Sequence, residues 1–136
     1  MSLREEDRRI LVELELEKAD KTFKQVEGLQ REKYWDTMAN RLYYSLFHAV
    51  SALLINDQRE VGSHKGAAIR FHQYYVKKGI FSEEEGSFYS QMETLREKSD
   101  YNCFFNVTEE DVISKVAPAA SFIEKVKQLI AKNNNV

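Results

Sequence analysis

The sequence predicts an all-α fold, an up-and-down bundle of four to five helices, and three observations carry that expectation. Chain breakers are scarce: 5 glycines and 1 proline serve 136 residues, whereas a sandwich or barrel needs a turn signal roughly every 8–12 residues. Apolar residues recur at helical spacing over long segments. Polar starters and a Lys-Lys-Gly exit punctuate those segments where helix termini need them. The length fits a single helical domain over residues 1–136.

The first helix is expected from Leu3 to Val26, with Leu11, Leu14 or Ala19, and Phe23 on its apolar face and Gly28 as terminator. The second covers Tyr34 to Asn56 and is the most apolar. Trp35, Met38, Leu42, Leu46, Ala49 and Leu53 form one stripe, with Ala39, Tyr43, Val50 and Leu54 beside it. A helix apolar over most of its circumference sits inside a bundle. After a polar loop, Asn56 to Gly62, Ser63 is an N-cap for a third helix, His64 to Lys78. Ala67, Phe71 and Tyr74 share one of its faces with Ile69 nearby, and Lys77-Lys78-Gly79 is its exit. Three glutamates after Ser82 suit the start of a fourth helix, which turns Phe88, Met92, Leu95 and Ser99 to the core until Asp100. The fifth opens at Thr108, with Asp111 in an approximate capping box, and runs to Lys132. Pro118 kinks or breaks it. Asn133 to Asn135 form a frayed tail.

Composition excludes several classes of function. Lys+Arg 20 against Asp+Glu 22 leaves a net charge of −2, which argues against a general basic coat for nucleic acid but leaves room for a local patch. A single cysteine, Cys103, allows no internal disulfide and no Cys-rich zinc site, and fits a reducing compartment. No apolar run approaches the ~20 residues of a membrane span, and the charged start has no signal-peptide core. The reading is a soluble cytoplasmic protein. His48, His64 and His72 lack a second helical ligand at i+3 or i+4, so no metal site is expected. The chain carries no HExxH, GxSxG, GxGxxG or phosphate-loop spacing, and no cofactor is expected.

The informative residues are polar groups in unexpected places. In the second helix, Arg41 and His48 lie within about 20° of one face and about 10 Å apart along the axis, with Tyr44 and Ser45 between them. Either an inter-helix salt bridge and a hydrogen-bonded histidine absorb them, or the stripe faces a ligand. Arg96 and Asp100 are spaced for an ion pair on one helix turn. Yet they end a helix beside Tyr101 and Asn102, and Arg, Asp, Tyr and Asn together suit phosphate or a base. Ser63-His64-Lys65-Gly66 reads as a cap, or as an anion-binding helix start with His64 and Lys65 reinforcing it.

Tyr34-Trp35-Asp36 followed by Ala39-Asn40-Arg41-Leu42-Tyr43-Tyr44-Ser45-Leu46-Phe47-His48-Ala49 resembles the central helix of HEPN domain proteins. Ser63-His64-Lys65-Gly66, Phe71, Lys78-Gly79 and Leu95-Arg96 through Asp100-Tyr101 follow as in the small stand-alone bacterial and archaeal HEPN subfamily. The resemblance spans about residues 8 to 130. It implies a helical bundle paired into a homodimer, with a minimal nucleotidyltransferase as partner in a toxin–antitoxin or related module. It also implies a metal-independent ribonuclease site: an arginine that holds the scissile phosphate, followed after four to six residues by a histidine that moves the 2′-hydroxyl proton.

Here the matching arginine is Arg96, and Tyr101 stands where the histidine belongs; no histidine follows Arg96. A phenol, with an ordinary pKa of about 10, is a poor general base at neutral pH. Arg96 and Tyr101 are thus the candidate catalytic pair in a site where cleavage is weak or absent. Arg41, Tyr44, His48, His64, Arg96 and Asp100 are the candidate RNA or nucleotide contacts. The alternative is a non-catalytic helical interaction module whose polar stripes are structural. A homodimer is also expected because the second helix is apolar on too many sides for the bundle to cover, and because Phe104-Phe105 needs a partner surface.

Overall fold

The computed structural model describes residues 3–134, and every regular element among them is helical. The elements are α1 (Glu5–Arg31), α2 (Trp35–Asn56), α3 (His64–Phe71), α4 (Glu83–Tyr101), a short α5 (Glu109–Val112) and α6 (Val116–Asn134). A π-helical turn, His72–Val76, continues α3, and a 3-10 turn, Ile113–Lys115, joins α5 to α6. Asn133 and Asn134 thus belong to α6 rather than to a tail, and Asn135 lies outside the described residues. Among the described residues no helix is long and apolar enough to cross a membrane.

The bundle is built around α2. Both expected stripes are inside, with Met38, Ala39, Leu42, Tyr43, Leu46 and Val50 fully buried. Helices α1, α3, α4 and α6 all pack on α2 within the one chain. The expectation that α2 needs a second chain to cover it is therefore overturned: a short α3 and a bent α5–α6 segment supply the extra sides.

Other expectations shift by one register position or one turn. Helix α1 does not stop at Gly28 but runs on to Arg31, because Lys33 takes the left-handed conformation (φ 62°) that ends it. Its buried residues are Val12, Ala19, Thr22 and Val26, while Leu11 and Leu14 are exposed. The first turns carry apolar residues on neighbouring sides, so spacing alone does not choose the stripe. In α4 the face is Gly86, Tyr89, Met92 and Arg96, with Phe88, Leu95 and Ser99 on the flanks. The helix from His64 to Lys78 is interrupted by the π turn, whose extra residue turns Tyr75 inward instead of Tyr74; Ile69 is exposed. Pro118 sits in the first turn of α6, where its missing N–H is harmless, and the break falls just before it. In a continuous helix its ring would press on the carbonyl of Ser114.

The termini follow the capping expectations. Gly66 N–H donates to Ser63 Oγ at 3.0 Å. Glu85 N–H donates to Ser82 Oγ at 3.1 Å while Ser82 N–H donates to Glu85 Oε1 at 2.8 Å. Thr108 N–H donates to Asp111 Oδ2 at 2.9 Å. Gly79 takes φ +80°, so only glycine ends the α3 segment there without strain.

One glycine is required by contact rather than conformation. A Cβ on Gly86 would lie 2.9 Å from Val76 Cγ2 and 3.3 Å from His72 Nε2. Val76 is β-branched and has little freedom to move aside. Gly86→Ala is expected to destabilise the fold by about 1–3 kcal/mol in urea denaturation. A double-mutant cycle with Val76→Ala should recover part of that cost, and additive effects would remove the contact as its cause.

Candidate functional site

Three elements converge on an open cleft of about 800 Å³. The middle of α2 supplies Tyr44 and Phe47, the approach to α3 and its first turn supply Gly62 to Lys65, and the end of α4 supplies Arg96, Glu97 and Tyr101. Each is placed for a local reason. The stripes of α2 bury Tyr43 and leave Tyr44 and Phe47 at the edge of the core. The Ser63 cap sets the first residue of α3, His64, at the cleft. Arg96 lies on the buried face of α4, one turn beyond Met92.

Arg96 is the centre of the arrangement. Its side chain is only 5% exposed, so the ion pair with Asp100 that its spacing suggests forms on a buried guanidinium and not on the surface. Its Nη1 is 3.6 Å from Asp100 Oδ2, its Nη2 is 3.4 Å from His64 Nδ1, and its Nε has no hydrogen-bond partner. The guanidinium carbon lies 4.9 Å from the centre of the Tyr43 ring, 5.6 Å from Tyr44 and 6.0 Å from Tyr101. Asp100 Oδ2 also accepts from Asn40 Nδ2 at 3.4 Å, which ties the end of α4 to α2.

His64 is boxed by aromatic rings, its centroid 4.5 Å from Phe47, 5.5 Å from Tyr44 and 5.7 Å from Tyr43, all edge-on. Burial and then the charge of Arg96 push its pKa below the ordinary 6.5. Deeper in, burial pushes the hydroxyl of Tyr43 well above the ordinary phenol range, with Glu93 adding to it. The Tyr43 hydroxyl donates weakly to Glu93 Oε2 at 3.5 Å. Burial, reinforced by Glu97, raises the Glu93 carboxyl as well. Around Arg96, His64, Tyr43 and Glu93 are thus each shifted toward their neutral forms.

Of the residues singled out in the sequence, Tyr44, His64, Arg96 and Tyr101 line the cleft and Asp100 pairs with Arg96. Tyr101 is 79% exposed at the rim. Arg41 stands beyond Tyr44, its guanidinium 5.5 Å from that ring, and donates twice to Asn40 Oδ1, at 2.9 and 2.6 Å. It forms no salt bridge to another helix among the described residues. His48 turns to α1, its Nδ1 2.8 Å from Glu15 Oε2, and does not line the cleft. Ser45 leaves the Arg41–His48 stripe altogether: it is buried and its hydroxyl donates to the Leu42 carbonyl. Residue spacing on α2 did not point to Phe47 as a wall of the cleft, or to Tyr43 beneath Arg96. The available signal was Tyr89-Met92-Arg96, a three-then-four spacing that continues the core stripe into the arginine.

Comparison with known proteins agrees with this arrangement of helices. The family model described as HEPN domain matches residues 12–129. A Thermotoga maritima protein named "UPF0332 protein" is 35% identical over 91 residues, 67% of this chain and 69% of its own. Two Methanocaldococcus jannaschii proteins carry the name "putative toxin". One is 28% identical over 119 residues, 87% of this chain and 81% of its own. The other is 31% identical over 101 residues, 74% of each chain.

The lowered pKa of His64 has a consequence for stability. Once the chain unfolds, His64 regains its ordinary pKa of 6.5 and binds a proton more readily than in the fold. Stability contributed by this group is therefore complete above that pH and declines as the pH falls from 6.5 toward the folded-state value. In thermal melts across this acidic range, His64→Gln should flatten the fall in Tm relative to the wild type. Identical slopes would remove His64 as a source of acid sensitivity.

Proposed function

Since this chain belongs to the HEPN domain family, we propose that it is the toxin-like component of a two-protein module that binds RNA or nucleotide phosphate in the α2–α3–α4 cleft. The observation that carries this reading is Arg96: a guanidinium almost wholly out of water, with long polar contacts and an unpartnered Nε, on the floor of an open cleft. Such a group lacks a strong acceptor, and a phosphodiester oxygen supplies one in the planar geometry that arginine favours. The rings of Tyr44, Phe47 and Tyr101 around it offer stacking surfaces for bases. The toxin-named relatives support the wider role.

The residues on α2 divide between the two readings weighed from sequence. His48 and Arg41 have partners inside the chain and act as structural polar groups, while Arg96 retains unsatisfied donor capacity. The proposed setting is the cytoplasm, with a minimal nucleotidyltransferase as the second protein, as the family resemblance implies.

The proposed unit is a homodimer. Covering α2 no longer argues for it, but Phe104 does: it is 92% exposed three residues after Tyr101, while its neighbour Phe105 is half-buried against the core and lines a second cleft with Leu95 and Lys98. An aromatic ring left in water is suited to burial against a second copy, in an interface of about 1,200–2,000 Å².

Two measurements test this reading. Arg96→Ala should weaken binding of a short single-stranded RNA by about tenfold or more, as expected for loss of a charge-assisted hydrogen bond. It should also reduce the salt dependence of binding by the contribution of one phosphate contact, about 0.7 in log–log slope. An unchanged fluorescence-anisotropy titration would move the site elsewhere. In light scattering the wild type should run as a dimer and Phe104→Asp as a monomer, and a monomeric wild type would defeat the pairing.

A further inference from the structure

A cleft that holds a phosphate has no evident use for a carboxylate, yet Glu97 lines it beside Arg96. Among the described residues it is the only acidic side chain of the lining, and it takes part in no ion pair and no side-chain hydrogen bond. The ion pair with Arg96 goes to Asp100 instead. Glu97 is half-buried, where a charge without a partner costs more than at an open surface. Its negative charge also opposes the anion that Arg96 attracts.

Its place on α4 says what it faces. Tyr101 is four residues on, so the two side chains are neighbours on one helix face, with about 5–6 Å between Cβ atoms at that spacing. Both line the cleft into which α2 and α3 bring Tyr44, Phe47 and His64. The charge of Glu97 reaches across that space: it works against the lowered pKa of His64 and adds to the raised pKa of Glu93.

We propose that Glu97 makes this cleft selective for guanine, its carboxylate accepting from N1–H and the 2-amino group of a base stacked on Tyr101 while Arg96 holds the phosphate. The inference rests on the reading of the cleft as a site for RNA or nucleotide phosphate, and it deepens that reading by naming the base. An ionised carboxylate only accepts, through two oxygens side by side. Of the four RNA bases, guanine alone offers two adjacent donors on its Watson–Crick edge. Uracil offers one, flanked by two carbonyl oxygens that a carboxylate repels. Adenine and cytosine each offer an amino group next to a ring-nitrogen lone pair. The wrong base therefore both loses a hydrogen bond and brings a lone pair against a charge. Unpaired bases are commonly read in this way, stacked on a ring and hydrogen-bonded on that edge. Stacking on Tyr101 tolerates any base; the carboxylate supplies the choice.

The test uses the full chain and fluorescence anisotropy. The probe is a short labelled oligouridine with one central guanosine, compared with strands carrying inosine, adenosine, cytidine or uridine at that position. The guanosine strand should bind about tenfold or more tightly than the adenosine, cytidine and uridine strands, the scale of a bidentate base contact. Inosine keeps N1–H and the ring system but lacks the 2-amino group, so its strand should lose most of that advantage. Glu97→Gln should bind the guanosine and inosine strands alike. It should hold the uridine strand at least as tightly as the wild type does, because the charge opposing the phosphate is gone, whereas a merely damaged cleft would lose affinity for every strand. Circular dichroism checks that the variant folds, and the inosine comparison probes the same contact in the unaltered protein.

Competition by GMP and AMP separates the two sources of the base. Displacement of the guanosine strand by GMP and not by AMP would assign the site to a free nucleotide; resistance to both, with the guanosine preference intact, would assign it to a strand. A wild type that binds the guanosine and inosine strands equally would overturn the role of Glu97 and leave the binding reading standing. A guanine preference that survives Glu97→Gln would do the same. A wild type that binds neither strand nor GMP would remove both.

Discussion

The junction of α2, α3 and α4 depends on how one guanidinium is kept out of water. Removing a charge from solvent costs several kcal/mol unless its surroundings replace the lost hydration. For Arg96 they do so only in part through hydrogen bonds, which are long and leave Nε without a partner. The remainder falls to ring faces. Tyr43 and Tyr44 are consecutive on α2, and both lie within cation–π reach of the same guanidinium. Arginine suits this better than lysine, because a flat, delocalised and weakly hydrated cation stacks where a compact ammonium would not. The rings can serve because α2 itself is immobilised by two buried stripes. The charge at the centre of the cleft is thus held by the most apolar helix of the chain.

Placing α3 over this charge takes a second set of contacts. The loop after α2 turns at Gln58, whose φ of 60° is left-handed. It is fastened by Tyr75, whose hydroxyl donates to Asp57 Oδ2 at 2.5 Å, and by Arg59 stacked 3.7 Å over the Tyr74 ring. Both tyrosines belong to the π turn, and its extra residue is what lets adjacent side chains serve opposite purposes, one inside and one over the loop. At the other end of that turn, Val76 meets α4 at the position where only glycine fits. The first turn of α3 is therefore held through the loop, the π turn and Gly86, and the rings of α2 then enclose the His64 side chain that this turn presents.

Much of the fold was legible because the relevant signals are local. The caps at Ser63, Ser82 and Thr108 and the exit at Gly79 depend on a few adjacent residues, and all lie where expected. The stripes of α2 were legible because so apolar a segment has one natural place. What spacing could not supply was rotational phase. Helix α1 carries apolar residues on adjacent sides, and the choice of Val12, Ala19 and Val26 is made by α2. The π turn is likewise invisible in a sequence whose residues are all compatible with an ordinary helix. The site divides along the same line. Arg96, Asp100 and Tyr101 share a helix end, so their spacing joins them, whereas nothing in the position of His48 on α2 shows that Glu15 faces it. The burial of Arg96 was hidden because a local arginine–aspartate spacing looks the same on a surface helix as on an inward one.

The contrast between Tyr101 and His64 shows what a spacing rule can and cannot reveal about a site. Residues four to six apart on one helix are brought together by the helix itself, so their spacing can be recognised in a string. Arg96 and His64 are separated in sequence, and no spacing rule connects them. Their approach to 3.4 Å requires a capped α3, a fastened loop and a close crossing of the π turn and α4. A pairing of that kind is tied to the packing of the core: a shift of α3 against α4 changes the distance from the imidazole to the guanidinium. The same dependence has a functional side. A guanidinium fixed by the packing of helices is already oriented before any anion arrives, and little reorganisation remains for the moment of binding.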